Sequence, residues 1–258
     1  MALYLKNNEI ASDDITASGV FKQKYNRDGL IIHLDATDKD SYPGTGSTWY
    51  DLSSLGNNFE INPSAFNTTS SVANYMDFNG SYGCAKKQTT DVAVSGNVTV
   101  CLWTRVKNST AEWRTLLRAR SSGSDHQVII QSGGWEIGMY DSTGSGFNGS
   151  GFSQQSLPGY PNDWVFMVWR FFNSESPYYE LGYNDSASYV RGSINSVNAR
   201  FKHGICSIGA YNNDEQNNVN NASQYWGDIS MISVYNRILN PYEILENYNA
   251  TYNNYFWL

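Results

Sequence analysis

The chain has 258 residues and a formal charge of −7, with only 16% charged residues but 15% aromatic ones, 19 of them Tyr. So many aromatic side chains exclude a disordered chain. An acidic balance without a Lys/Arg cluster argues against nucleic-acid binding, and no apolar run is long enough to span a bilayer. The length suits one large β sandwich with an ample core, and 22 Gly with abundant Asn supply many turn positions.

Residues 1–27 read as an arm. They are polar, carry Asp13-Asp14 and then Lys22, Lys24 and Arg27, and show no sustained periodicity. The first six residues lack the basic start and apolar stretch of a secretory leader. From residue 28 the pattern turns to β. Leu30–Leu34, Asn97–Val106, Gln127–Gln131, Trp135–Tyr140, Trp164–Phe172, Tyr178–Tyr183, Ile205–Ala210 and Gly227–Tyr235 are short apolar or alternating runs between Gly/Asn/Ser turns. That rhythm predicts an all-β, antiparallel two-sheet sandwich, and no strand–helix alternation supports a parallel sheet. Within the last run, Ile229, Met231 and Ser233 are expected on one face, with Ser230, Ile232 and Val234 on the other. One helix is expected near the end. Asn240 caps it, Pro241 takes the first helical position and Glu243 completes a capping box. The aromatic tail after it, Tyr252, Tyr255, Phe256, Trp257 and Leu258, is expected to pack back on the sandwich, with burial against a partner as the alternative. Cys84, Cys101 and Cys206 are odd in number and widely spaced, which reads as reduced, buried thiols.

Three stretches together resemble a known family. Gly29-Leu30-Ile31-Ile32-His33-Leu34-Asp35-Ala36 leads into Tyr42-Pro43-Gly44-Thr45-Gly46 and Trp49-Tyr50-Asp51-Leu52-Ser53. Met76-Asp77-Phe78-Asn79-Gly80 follows. Near the end stand Trp226-Gly227-Asp228-Ile229-Ser230, Val234-Tyr235-Asn236-Arg237 and Glu243–Ala250. Between about Asp28 and Ala250 this order resembles the laminin-G-like, concanavalin A-like lectin/glucanase jelly roll. It is most similar to the form carried by virion structural proteins of tailed bacteriophages. The resemblance implies residues 28–258 as one jelly-roll domain, with 1–27 an anchoring arm. It implies a non-enzymatic capsid decoration protein on the virion surface, bound to the major capsid protein or other virion proteins. A homo-oligomer, with a trimer as one form it would take on symmetric assemblies, comes with it by analogy. The alternatives are a carbohydrate-binding or adhesion module, a tail-fibre component or, further off, a glycoside hydrolase.

Retaining glycoside hydrolysis needs two carboxylates about 5 to 5.5 Å apart. No Glu here is followed two positions later by Asp or Glu, and Glu136 and Asp141 fall at opposite parity on one strand. His33, His126 and His203 are far apart, and no Gly-x-Ser-x-Gly elbow occurs. Gly144-Ser145-Gly146-Phe147-Asn148-Gly149 fits a phosphate-loop spacing, yet opens no helix and reads as a flexible loop. Asp35, Asp38 and Asp40 form an acidic turn, either solvated or holding calcium. Sugars stack their apolar faces on aromatic rings. Trp135, Tyr140, Phe147, Phe152 and Tyr160 flank the Gly/Ser-rich stretch and are the candidate glycan-binding residues, with host-surface glycans the implied partner. The opposing expectation is that most of these rings are core.

Overall fold

The computed structural model describes residues 25–61, 66–67, 74–79, 85–86, 91–94, 96–107, 113–119, 125–141, 144, 146–183, 190–202, 204–209 and 225–255. All but the last three residues of the expected arm, together with Cys84, His203 and the tail residues Phe256, Trp257 and Leu258, lie outside the described residues.

Sixteen strands among the described residues form two antiparallel sheets. The first contains β1 (Leu30–Asp35), β4 (Phe66–Asn67), β5 (Tyr75–Asn79), β7 (Val98–Val106), β12 (Val165–Phe171), β13 (Tyr179–Tyr183), β14 (Val190–Ile194) and β16 (Trp226–Tyr235). Its order is β14-β13-β12-β7-β16-β5-β4, with β1 also paired to β16. The second contains β2 (Thr48–Trp49), β3 (Phe59–Ile61), β6 (Ala85–Lys86), β8 (Arg114–Arg118), β9 (His126–Ile130), β10 (Glu136–Asp141), β11 (Gly146–Ser153) and β15 (Ser207–Ile208), ordered β11-β10-β9-β8-β15-β6-β3-β2. The fold is the expected jelly-roll sandwich.

One core lies between the sheets, with Leu102, Val100, Ile232 and Val234 from the first facing Leu117, Val128, Ile137 and Met139 from the second. A void of about 10 Å³ remains beside Val128, Ile137, Met167 and Trp169. Its lining is wholly apolar, so it offers a ligand nothing to recognise. A second apolar cluster covers the opposite side of the first sheet. There α1 (Pro241–Tyr252) lays Ile244 over Trp103, Phe166 and Met231. The helix begins as expected: the Asn240 side chain accepts from the Tyr242 and Glu243 N–H groups, and Glu243 accepts from the Asn240 N–H. Tyr255 then stacks on Trp103 at 4.1 Å, and the Trp103 indole donates to Thr251 at 2.7 Å.

The end of the arm is clamped to this helix. Tyr25 stacks on His33 at 4.7 Å, and the Asn26 N–H donates to the Asn247 side chain at 2.9 Å. The Tyr235 hydroxyl donates to the Asn26 carbonyl at 2.8 Å. Beyond the helix, Asp228 is fully buried between Arg105 and Lys107, and Lys107 also reaches Asp77. Cys101 and Cys206 are buried free thiols. Burial pushes the Cys101 thiol up to about 12, so it packs as a small apolar group.

Two expectations about parity and loops are corrected. The pairing of β16 with β7 slips between Ile229 and Met231. Ile229 therefore shares the core with Ile232 and Val234, while Met231 and Tyr235 face the helix. Of the stretch expected as a flexible loop, Gly144 sits in a turn and Ser145 lies outside the described residues, while residues 146–149 belong to strand β11, paired along β10. Its glycines serve the strand itself, with Gly146 and Gly151 at φ values of 70° and 78° that other residues rarely adopt.

Candidate functional site

The β10–β11 hairpin builds the site. On β10, Ile137 and Met139 point into the core, which leaves Glu136, Gly138 and Tyr140 on the outer face of the second sheet. Tyr140 is paired in register with Phe147 of β11, and both remain half-buried. Trp113, immediately before β8, completes the group. Its ring meets Phe147 edge-on at 5.3 Å and Tyr140 at 6.1 Å. His126 meets Tyr140 from the other side at 5.9 Å. Edge-to-face contacts at these separations are favourable for aromatic pairs. They also hold the rings in place while part of each stays open to solvent.

Two facing glycines make room beside the rings. Gly138 and Gly149 are register partners. A methyl group on Gly138 would come within 2.9 Å of the Phe147 ring, and one on Gly149 would overlap the Glu136 carboxylate. Phe147 and Glu136 thus lie over bare backbone on neighbouring positions. Beyond the pair, Ser150 and Gly151 form a bulge, since Ile137 is opposite Phe152 and Gly138 opposite Gly149. The Ser150 hydroxyl donates to the Ile137 carbonyl, and the Gly151 N–H donates to Glu136 Oε1 at 2.6 Å. That bond fixes the carboxylate.

The rest of this face is polar yet buried. Thr115, Arg118, Asp125, His126 and Ser207 are all at most 4% exposed. Thr115 and His126 share a 2.9 Å hydrogen bond. Burial, followed by the nearby Arg118 charge, holds the His126 imidazole down at about 3, so it is neutral at physiological pH. At the far end of β10, Asp141 is buried and its carboxylate pairs with Lys202 at 2.7 Å. Arg114 is buried, with its guanidinium 5.0 Å from the Trp226 ring.

The five expected glycan residues do not share one surface. Tyr140 and Phe147 come together. Phe152 lies past the bulge and is buried in the core against Tyr183. Trp135 sits in the β9–β10 turn at φ 59°, its carbonyl accepting from Gln154. Tyr160 packs partly against the core. Trp113 lies 27 residues from Tyr140 in the chain, so sequence proximity does not reveal it and only sheet pairing unites them.

The acidic turn is built differently from a cation cage. Asp35 is buried and accepts from both the Thr37 N–H and hydroxyl, while Asp38 accepts from the Asp40 N–H and Asp40 is exposed. Among the described residues no group of three or more His, Cys, Asp or Glu side chains is arranged to hold a metal. These carboxylates shape turns. Asp51 does the same with more reach, taking N–H groups from His33, Ser53 and Asn57.

Comparison with solved structures confirms the fold. Trypanosoma rangeli sialidase in complex with sialic acid superposes with a TM-score of 0.56 at 13% identity, covering 91% of this chain and 34% of that one. The same sialidase with 2,3-difluorosialic acid gives 0.56 at 15% identity, over 94% and 36%. The binding domain of Paraclostridial Mosquitocidal Protein 1 gives 0.58 at 15% identity, over 88% of this chain and 53% of that one. The chain thus spans about a third of the sialidase chains and about half of the mosquitocidal one. No protein-family model matches the sequence, and no curated protein does. The shared fold is a lectin-like β sandwich.

Proposed function

We propose that this chain is a carbohydrate-recognition module without catalytic activity, and that the ligand lies on the strip formed by Trp113, Tyr140 and Phe147. The observation that carries the reading is the convergence of three half-buried rings from two sequence-distant segments beside a fixed carboxylate. Rings held this way offer flat apolar faces to a sugar, with polar groups at the edge to take its hydroxyls. The fold supports the reading, since one similar structure is a sialidase with sialic acid bound and another is the binding domain of a mosquitocidal protein. The non-enzymatic part rests on the carboxylates of β10. Glu136 and Asp141 lie at its two ends on opposite faces, and Asp141 is ion-paired.

The setting we propose is the surface of a tailed-phage virion. Its support is the motif order from Gly29 to Ala250. There the module would be a capsid decoration protein, its arm directed to a capsid partner and its aromatic strip to host-surface glycans.

Glycan-array screening followed by titration calorimetry tests the module. Trp113→Ala should weaken the best ligand about tenfold, the scale of one lost aromatic contact. No glycan bound by the intact chain, or full affinity in Trp113→Ala, would refute the reading. Mass spectrometry of purified particles tests the setting, and absence of the chain from them would sink it.

A further inference from the structure

We infer that Glu136 sets the ligand class of the aromatic strip: uncharged sugars that present neighbouring hydroxyls, with acidic sugars turned away. This rests on the carbohydrate reading above and goes one step further.

Glu136 is half-buried at the start of β10, on the same face as Tyr140. Its carboxylate lies over Gly149, and Phe147 lies over the facing Gly138. A ring and a carboxylate on adjacent bare backbone positions match the two faces of a sugar. The C–H face rests on the ring, and hydroxyl groups at the edge donate to the carboxylate. Gly151 holds Oε1 at 2.6 Å, while Oε2 has no hydrogen-bond partner among the described residues. The acceptor is therefore positioned before any ligand arrives, and one oxygen stays available to a hydroxyl donor.

Among the described residues, the cations of this part of the molecule are committed elsewhere or buried. Lys202 is tied to Asp141 at 2.7 Å. Arg114 and Arg118 are 2% and 4% exposed, beneath the surface a ligand would touch. Arg191 lies on the Tyr183 ring at 4.9 Å. A sialic acid or uronate carboxylate placed on the strip would meet a like charge, and the net charge of −7 adds to that repulsion.

Titration of neutral, sialylated and uronate-containing oligosaccharides against the wild type, Glu136→Gln, Trp113→Ala and Glu60→Gln tests this. Glu60→Gln removes one charge from the same sheet at β3, away from the strip. The wild type should bind neutral sugars and disfavour acidic ones. Glu136→Gln should lose about tenfold on neutral sugars and most of the discrimination, because a charged acceptor becomes a neutral amide. Glu60→Gln should match the wild type. A wild type that prefers acidic glycans, or Glu136→Gln with unchanged discrimination, would overturn the inference. If Trp113→Ala still weakened binding in that case, the carbohydrate reading would survive. If Trp113→Ala bound as the wild type does, that reading would fall as well.

Discussion

Acid should unfold this protein through two buried imidazoles. His33 is 7% exposed and its Nδ1 lies 2.6 Å from the Ser233 hydroxyl. Burial first, then the Arg27 charge, lowers it from 6.5 to about 4. His126 is lowered to about 3 by burial and by Arg118. Both folded values lie below the unfolded one, so the unfolded chain binds more protons as pH falls. Their stabilisation is complete above about pH 6.5. It drains away through the interval down to about 4 for His33 and about 3 for His126. Linkage then gives a loss of about 2.5 kcal/mol from each between pH 7 and 4.5, or about 5 together. Buried Asp35 and Asp228 work in the opposite sense, because burial raises both and each takes its proton sooner when folded. Urea unfolding followed by tryptophan fluorescence at pH 7 and 4.5 measures the difference. His33→Asn with His126→Asn keeps a polar side chain at each site and removes the titration. The double variant should lose far less stability over this interval than the wild type, whatever its stability at pH 7. Equal losses in the two proteins would refute the assignment of acid sensitivity to these histidines.

Three further outcomes check the architecture. Gly138→Ala should displace Phe147 and weaken glycan binding, since the added methyl meets the Asn148 carbonyl and the Phe147 ring; calorimetry that shows unchanged affinity would contradict the packing of the strip. Trp103→Phe removes the hydrogen bond to Thr251, whose hydroxyl still bonds the Asn247 carbonyl, and leaves a space where the larger ring packed, so it should cost about 1–3 kcal/mol; hydrogen exchange should show α1 amides losing protection before those of β7. Asn240→Ala removes two N-cap hydrogen bonds and should cost about 1 kcal/mol in urea unfolding, with no change in ligand affinity.

The parts of the fold legible in the sequence were those set by local chemistry. The Asn240-Pro241-x-Glu243 cap needs only four consecutive residues, and it appears as expected. The long apolar strands β7 and β12 announce themselves because both of their faces are buried, one by the other sheet and one by α1. Strand parity was less legible. A single bulge after Ile229 transfers Met231 to the helix side, and nothing in Gly227–Tyr235 marks where the extra residue falls. Strand β11 was hidden for a related reason. Five of its eight residues are Gly or Ser, three of them consecutive at Gly149-Ser150-Gly151, a composition that reads as loop until a partner strand is known.

The same distinction explains the site. Tyr140 and Phe147 are near in the chain, and a hairpin preserves that proximity in space. Phe152 is as near in the chain but lies five residues past Phe147, an odd separation that puts it on the core face opposite Ile137. Trp113 and Glu136 needed the sheet order. Trp113 reaches Tyr140 because only β9 lies between β8 and β10, a gap that two large rings can span. Glu136 looked isolated when judged as half of a catalytic pair, where a second carboxylate nearby is the requirement. For recognition its isolation is the useful property. Among the described residues, Glu136 is a fixed acceptor beside a ring while Asp141 lies on the opposite face, tied to Lys202, an arrangement in keeping with the recognition role proposed above.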